Sequence, residues 1–138
     1  MIKKSLIKSF FNNADISLEK YGIIENEKIT NKEYQSYINA FGPKLIQIGL
    51  LPTLILYSKP IENNIVKKHA SSKKEADPNN VLKAILFTIN KSELTLEKFI
   101  DNYKVASDFD KEQHVHNIVH ACIALKLILR TYNLQNYE

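Results

Sequence analysis

The sequence predicts an all-α protein: a compact single-domain helical bundle of about five to six helices with a long C-terminal helix. Three observations carry that expectation. Apolar residues recur at three- and four-residue spacing along most of the 138 residues. No stretch shows the convincing period-2 alternation of a half-buried strand. Hydrophobic residues make up 44% and charged residues 25%, which suits one domain with a real core and not a disordered chain. The domain is expected to span 1–138, with an exposed basic loop at about 61–76.

In the first helix Ile2, Leu6, Phe10, Ala14, Leu18 and Tyr21 fall on one stripe, with Ile7 and Phe11 beside it. Gly22 is placed to stop it in a left-handed cap. Ile23 to Thr30 is polar and reads as a connection. A second stripe follows Asn31 or Thr30 as cap: Tyr34, Tyr37, Ile38, Phe41, Leu45 and Ile48. Pro43 lacks the N–H donor and crowds the preceding turn, so Gly42-Pro43 predicts a kink or restart. Leu50 to Tyr57 continues the run, with Pro52 as a second breaker and Lys59-Pro60 as the exit. Ile61, Ile65 and Val66 suit a short helix before the basic loop.

Asp77-Pro78 is a helix start, Asp as N-cap and Pro at the first helical position. Val81, Leu82, Ile85, Leu86 and Ile89 supply its apolar stripe. Thr95 can cap a short helix carrying Leu96, Phe99, Ile100 and Tyr103. Ser107 and Asp110 have capping-box spacing ahead of the last helix, about Phe109 to Tyr132. There Val115, Ile118, Val119, Cys122, Leu125, Leu129 and Tyr132 form one face, and Ile123, Ala124, Leu127 and Ile128 fill much of the rest. A helix apolar nearly all round is central in a bundle or shares a second face with another chain. Ile123, Leu127 and Ile128 are the expected subunit-interface residues.

Composition excludes several functions. Three glycines rule out a Gly-rich phosphate cradle, and neither a Walker loop nor a dinucleotide fingerprint is present. The single Cys excludes an internal disulfide framework and fits a reducing, cytoplasmic setting. The N-terminus lacks the apolar run and small-residue cleavage site of a signal peptide. No stretch approaches the roughly 18 uncharged apolar residues of a membrane span, so no membrane partner is expected.

Few residues suggest chemistry. His116 and His120 stand at metal-ligand spacing on a helix, which is the basis of a metalloenzyme alternative. His114 points elsewhere, so surface or interface histidines are the simpler reading and no metal is expected. Cys122, among apolar residues, reads as a small buried hydrophobe. Asp108, Asp110 and Glu112 complement the helix dipole. The tyrosines at 34, 37, 57, 103 and 132 fall on helical stripes and read as packing, not base stacking. No catalytic residue and no cofactor is expected.

The net charge of +4 and pI near 9.0 permit contact with a polyanion. Eighteen of the nineteen basic residues are Lys, and Arg130 is the one Arg. Lys is a point charge suited to phosphate, whereas Arg carries the planar fork that reads a guanine edge. Charge alone favours a solvated surface over RNA contact, and any nucleic acid that does bind is expected to be read through its backbone and not its sequence. The candidates are Lys67, Lys68, Lys73 and Lys74 in the loop, Lys126 and Arg130 one turn apart on the last helix, Lys44 after Pro43, and Lys59.

Glu33 to Lys59 reads EYQSYINAFGPKLIQIGLLPTLILYSK. Tyr34 and Tyr37 precede Pro43, Leu45-Ile46, Gly49-Leu50, the apolar run Leu54 to Tyr57, and Ser58-Lys59. In this layout, and in the polar loop, Leu-rich helix and long last helix that follow, the chain resembles the small α-helical (fifth) subunit family of the Cmr complex. That complex is the type III-B CRISPR RNA-targeting effector. The resemblance is sharp over about 27 residues, with Lys44 and Lys59 the basic positions inside them. Ile48 stands where Asn often precedes the Gly, Pro52 is added, and the family's late tryptophans are absent. The resemblance implies a non-catalytic subunit of an antiviral effector. Its copies stack beside the guide-RNA-bearing backbone and help hold the guide–target RNA duplex. The implied partners are other Cmr-type subunits, copies of itself, guide RNA and target RNA. The small subunit of the related type III-A complex, also all-α, and a helical protein-interaction adaptor not linked to RNA are the alternatives.

Overall fold

The computed structural model describes residues 4–58, 76–90 and 95–135, with only the helical backbone for 133–135. These residues form an all-α bundle. Its helices are α1 (Lys4–Lys20), α2 (Glu33–Ile48), α3 (Leu50–Ser58), α4 (Pro78–Ile89), α5 (Leu96–Val105) and α6 (Asp108–Gln135). A two-stranded ribbon, β1 (Ile24–Glu25) and β2 (Lys28–Ile29), follows α1.

Helix α1 ends as its glycine predicts. Gly22 has φ +77°, its N–H reaches Glu19 O at 3.2 Å, and Ile23 N–H reaches Leu18 O at 2.9 Å. These are the paired bonds of a Schellman cap, with Leu18 and Ile23 both fully buried beside it. The buried stripe is Ile7, Phe10, Ala14, Ser17 and Leu18, so Leu6 and Tyr21 lie at its margin.

The segment Ile23 to Thr30 is not a plain polar connection. Ile23 and Ile24 belong to the core. Ile24 pairs with Ile29 and Glu25 with Lys28 in antiparallel register, and Thr30 N–H closes onto Ile23 O at 2.9 Å. Asn26 (φ 53°) and Glu27 (φ 62°) turn the ribbon with both central residues left-handed, the requirement of a type I′ turn. Two-residue strands are too short to show alternation, and the usual glycine of that turn is a glutamate here.

Asn31 Oδ1 accepts from Glu33 N–H at 2.9 Å at the start of α2. The helix then runs on through Pro43 as one element, without the expected restart. Pro43 is exposed, and so is Asn39, whose carbonyl would otherwise accept from residue 43, so the lost bond falls on the solvent side of the helix. Gly42 has no Cβ to meet the proline ring, which removes the clash that bars most residues before Pro from a helix. The break falls at Gly49 (φ 92°). Pro52 is not a breaker either: it lies in the first turn of α3, where its missing N–H had no helical acceptor to lose.

Asp77 caps α4 by accepting from Asn79 N–H at 2.9 Å, with Pro78 at the first position. Ala76, at the end of the expected exposed loop, is buried; the rest of that loop, 61–75, lies outside the described residues. Thr95 caps α5 through Lys98 N–H at 3.1 Å, and Ser107 Oγ accepts from Asp110 N–H at 3.2 Å at the head of α6.

Helix α4 is the axis of the bundle. Seven of its twelve residues are buried, and it packs against α1, α2, α3 and α6. Two polar ties fix its ends. Tyr34 Oη accepts from Asp77 N–H at 3.2 Å and from Asn80 Nδ2 at 2.8 Å. Asn13 Nδ2 donates to Thr88 O at 3.3 Å. Helix α6 lies along α1, and Tyr132 Oη donates to Asp15 Oδ1 at 2.6 Å across that seam. Among the described residues no helix is long and apolar enough to cross a membrane.

Candidate nucleic-acid interface

The residue types that suggested chemistry are built into the packing. Cys122 is 3% exposed and its thiol lies 3.5 Å from Ile38 O of α2. Burial pushes the thiol from its usual 9.0 up to about 11, although the Lys126 charge and the Gly42 amide pull the other way. It is the small buried hydrophobe its surroundings predict. His120 is also buried, so the surface or interface reading of that histidine is corrected; its Nδ1 sits 2.6 Å from His116 O. His120 lies on the side of α6 opposite Ile118 and Cys122, one turn before fully buried Ala124, so the bundle covers this helix on two sides. The His114 ring packs edge-on against Phe99 at 5.5 Å and lies 6.2 Å from Tyr103, fastening α5 to α6. Among the described residues no group of three His, Cys, Asp or Glu side chains is placed to hold a metal ion.

The tyrosines pack as expected. Tyr34, Tyr37, Tyr57 and Phe41 form a chain of edge-to-face rings with centroids 5.0–6.5 Å apart. Tyr57 Oη donates to Tyr37 O at 2.6 Å. Burial drives the Tyr57 phenol up to about 12.

Of the expected RNA contacts, Lys44, Lys126 and Arg130 are described; Lys59, Lys67, Lys68, Lys73 and Lys74 lie outside the described residues. Lys44 and Lys126 are half-exposed and Arg130 is exposed. The Cys122 thiol meets α2 at Ile38 and Gly42, one turn before Lys126 on α6 and two residues before Lys44 on α2. Lys44 lies about 200° round α2 from the Gly42 contact, while Arg130 follows Lys126 by one turn on α6. By contrast, the groove between the ribbon and the start of α2 is lined by Glu25, Lys28, Lys32 and Glu33, two charges of each sign, which favours no polyanion.

The expected subunit face of α6 is partly covered by the chain's own core. Ile123 and Ile128 pack on its own core, while Leu127 is 39% exposed. The larger bare apolar surface lies on α2 and α3. Ile46 is 87% exposed, with Ile48, Ile55 and Leu56 also exposed. Ile48 was expected on the buried stripe, but the end of α2 at Gly49 leaves its side uncovered. From Tyr34 to Ile61 there is no Asp or Glu, so the charges of this stretch are those of Lys44 and Lys59. A signal for this surface existed in the sequence: Ile46, Ile55 and Leu56 stand off the buried series 34, 38, 41, 45 and 50, 53, 54, 57.

No family model matches the chain, and no curated protein or solved structure matches it either.

Proposed function

We propose that this protein is a non-catalytic small subunit of a cytoplasmic type III-B CRISPR–Cas effector, stacking with neighbouring subunits and holding guide–target RNA by its backbone. The observation that carries the reading is the outer side of the α2–α3 hairpin. That hairpin leaves Ile46, Ile48, Ile55 and Leu56 exposed on a stretch free of carboxylates, with Lys44 one turn before Ile48 on the same flank of α2. Large exposed apolar patches mark docking surfaces, and lysines beside one suit phosphate without base reading. The same stretch holds the Tyr, Pro, Gly-Leu and Ser-Lys pattern that resembles the Cmr small-subunit family. The burial of Cys122 and His120 supports a scaffold role, since neither side chain meets a substrate from solvent.

A tagged pull-down from the native host, with RNA extraction and subunit identification, tests this. A multi-subunit particle holding short guide RNA is the expected eluate. Accompanying subunits of the type III-A kind would shift the subtype. A lone chain without RNA, where effector complexes survive, would overturn the reading and leave a helical interaction module. Within the particle, replacing Lys44, Lys126 and Arg130 together by Gln lowers RNA affinity and flattens the log–log salt dependence by roughly two units. An unchanged slope would remove these three from the interface.

A further inference from the structure

Helix α5 buries less of itself than the helices before it in the chain. One of its ten residues, Phe99, is buried, against seven of twelve in α4 and four of nine in α3. Among the described elements it packs chiefly on α6. The attachment runs through rings. Phe99 stacks with Tyr103 at 6.4 Å between centroids and meets the His114 ring edge-on, while Lys111 Nζ lies 5.5 Å from the Tyr103 centroid. Leu96 and Ile100 are half-buried beside them. His114, Ile118 and Cys122 stand four residues apart on one line of α6, and the last two belong to the core together with Phe99. A single ring thus ties α5 to one end of the core.

Both ends of α5 are finished without help from the bundle. Thr95 Oγ1 accepts from Lys98 N–H at 3.1 Å, Thr95 O accepts from Phe99 N–H at 2.9 Å, and Ala106 N–H reaches Tyr103 O at 3.2 Å. The head of α6 is finished by Ser107, whose Oγ accepts from Asp110 N–H and whose carbonyl accepts from Lys111 N–H at 2.8 Å. Ala106 and Ser107 alone join the two helices. Val105 and Phe109, on either side of this link, are 85% and 68% exposed, so little packing holds it. Helix α5 can therefore leave without unravelling α6. A ten-residue helix does not hold in water by itself, so leaving and melting are one event.

We infer that α5 is a strap that releases and re-docks as a unit, turning about Ala106 and Ser107, while α1, α4 and the core-facing part of α6 stay packed. Docked, it hides the Phe99 ring and the His114–Ile118 end of the core; released, it bares them. Segments with few buried side chains open at lower free energy than the fold as a whole. The inference stands apart from the RNA reading, since it involves neither Lys44, Lys126 nor Arg130.

Native-state hydrogen exchange on the unaltered full chain tests it, residue by residue, where exchange reports the opening equilibrium. Amides from Phe99 to Ala106 should share one opening constant, about a hundredfold or more above that of the α4 amides. Low urea should speed exchange steeply in α4 and little in α5, because the slope follows the surface exposed on opening. I85V, at a fully buried position of α4, should speed the α4 amides about two- to tenfold and leave α5 unchanged. Equal protection and equal urea slopes in the two helices, or α5 speeding with I85V, would mean that α5 opens only with the whole fold, and overturn the inference. So would an α5 without protection, which has no docked state, or amides of Ala14 to Leu18 or 118–125 opening together with it.

Discussion

Glu27 holds a left-handed backbone (φ 62°) at the second centre of the ribbon turn. A side chain there costs about 1 kcal/mol that a glycine avoids. Glu27→Gly is therefore expected to stabilise the fold by about 0.5–1 kcal/mol, read as a raised urea midpoint at constant slope. A lowered midpoint would mean that the turn is not of this type. Cys122 and Tyr57 define a second residue-level expectation. Both acids are neutral in the fold and titrate at higher pH there than in the unfolded chain, about 11 against 9.0 and about 12 against 10.0. A raised folded pKa gives stability that is complete below the unfolded value and lost as pH rises through the folded one. These groups thus leave stability flat near neutrality and erode it from about pH 9 to 12. Denaturation midpoints across that range check this; a C122S/Y57F variant should lose part of the alkaline slope.

At the scale of the element, helix α2 shows how a local rule can be outweighed. Pro43 removes one donor, but the carbonyl it strands belongs to exposed Asn39, and Gly42 relieves the ring clash. Pro43→Ala restores the missing bond and should stabilise the fold by about 1–3 kcal/mol. A thermal midpoint that stays put would argue that the ring strains nothing. The caps were legible because their chemistry is local: Gly22, Asp77-Pro78, Thr95 and Ser107 each do what their residue type dictates. The ribbon was not, since four strand residues carry no period. His120 was misplaced for a related reason. Its burial depends on how many sides of α6 the bundle covers, which an apolar-all-round helix does not announce.

For the whole molecule, the question is which apolar surface serves the core and which serves a neighbour. The bundle's axis is α4, and the exposed surplus sits on the α2–α3 hairpin and the α5–α6 corner. The last helix, the sequence's strongest candidate for an intermolecular face, spends Ile123 and Ile128 at home. Sequence periodicity shows how much apolar surface there is, but its allocation depends on contacts between distant helices. The allocation can be checked directly. I46S/I55S should change stability by no more than about 0.5 kcal/mol yet reduce recovery of partner subunits in the pull-down. Leu125→Ala, at a fully buried position of α6, should cost about 2–5 kcal/mol. Full partner recovery by the double variant would relocate the interface.

The seam between α1 and α6 also sets the order in which this chain can fold. Asp15 and Tyr132 are 117 residues apart, so closing that contact carries a loop entropy that local helix pairs do not. On the ribosome α1 can meet α4 once about ninety residues have emerged. The side of α1 that faces α6 stays uncovered until the last helix leaves the exit tunnel. Synthesis therefore passes through a half-closed intermediate whose bare strip is on α1, the stage at which a chaperone or a protease has access to it.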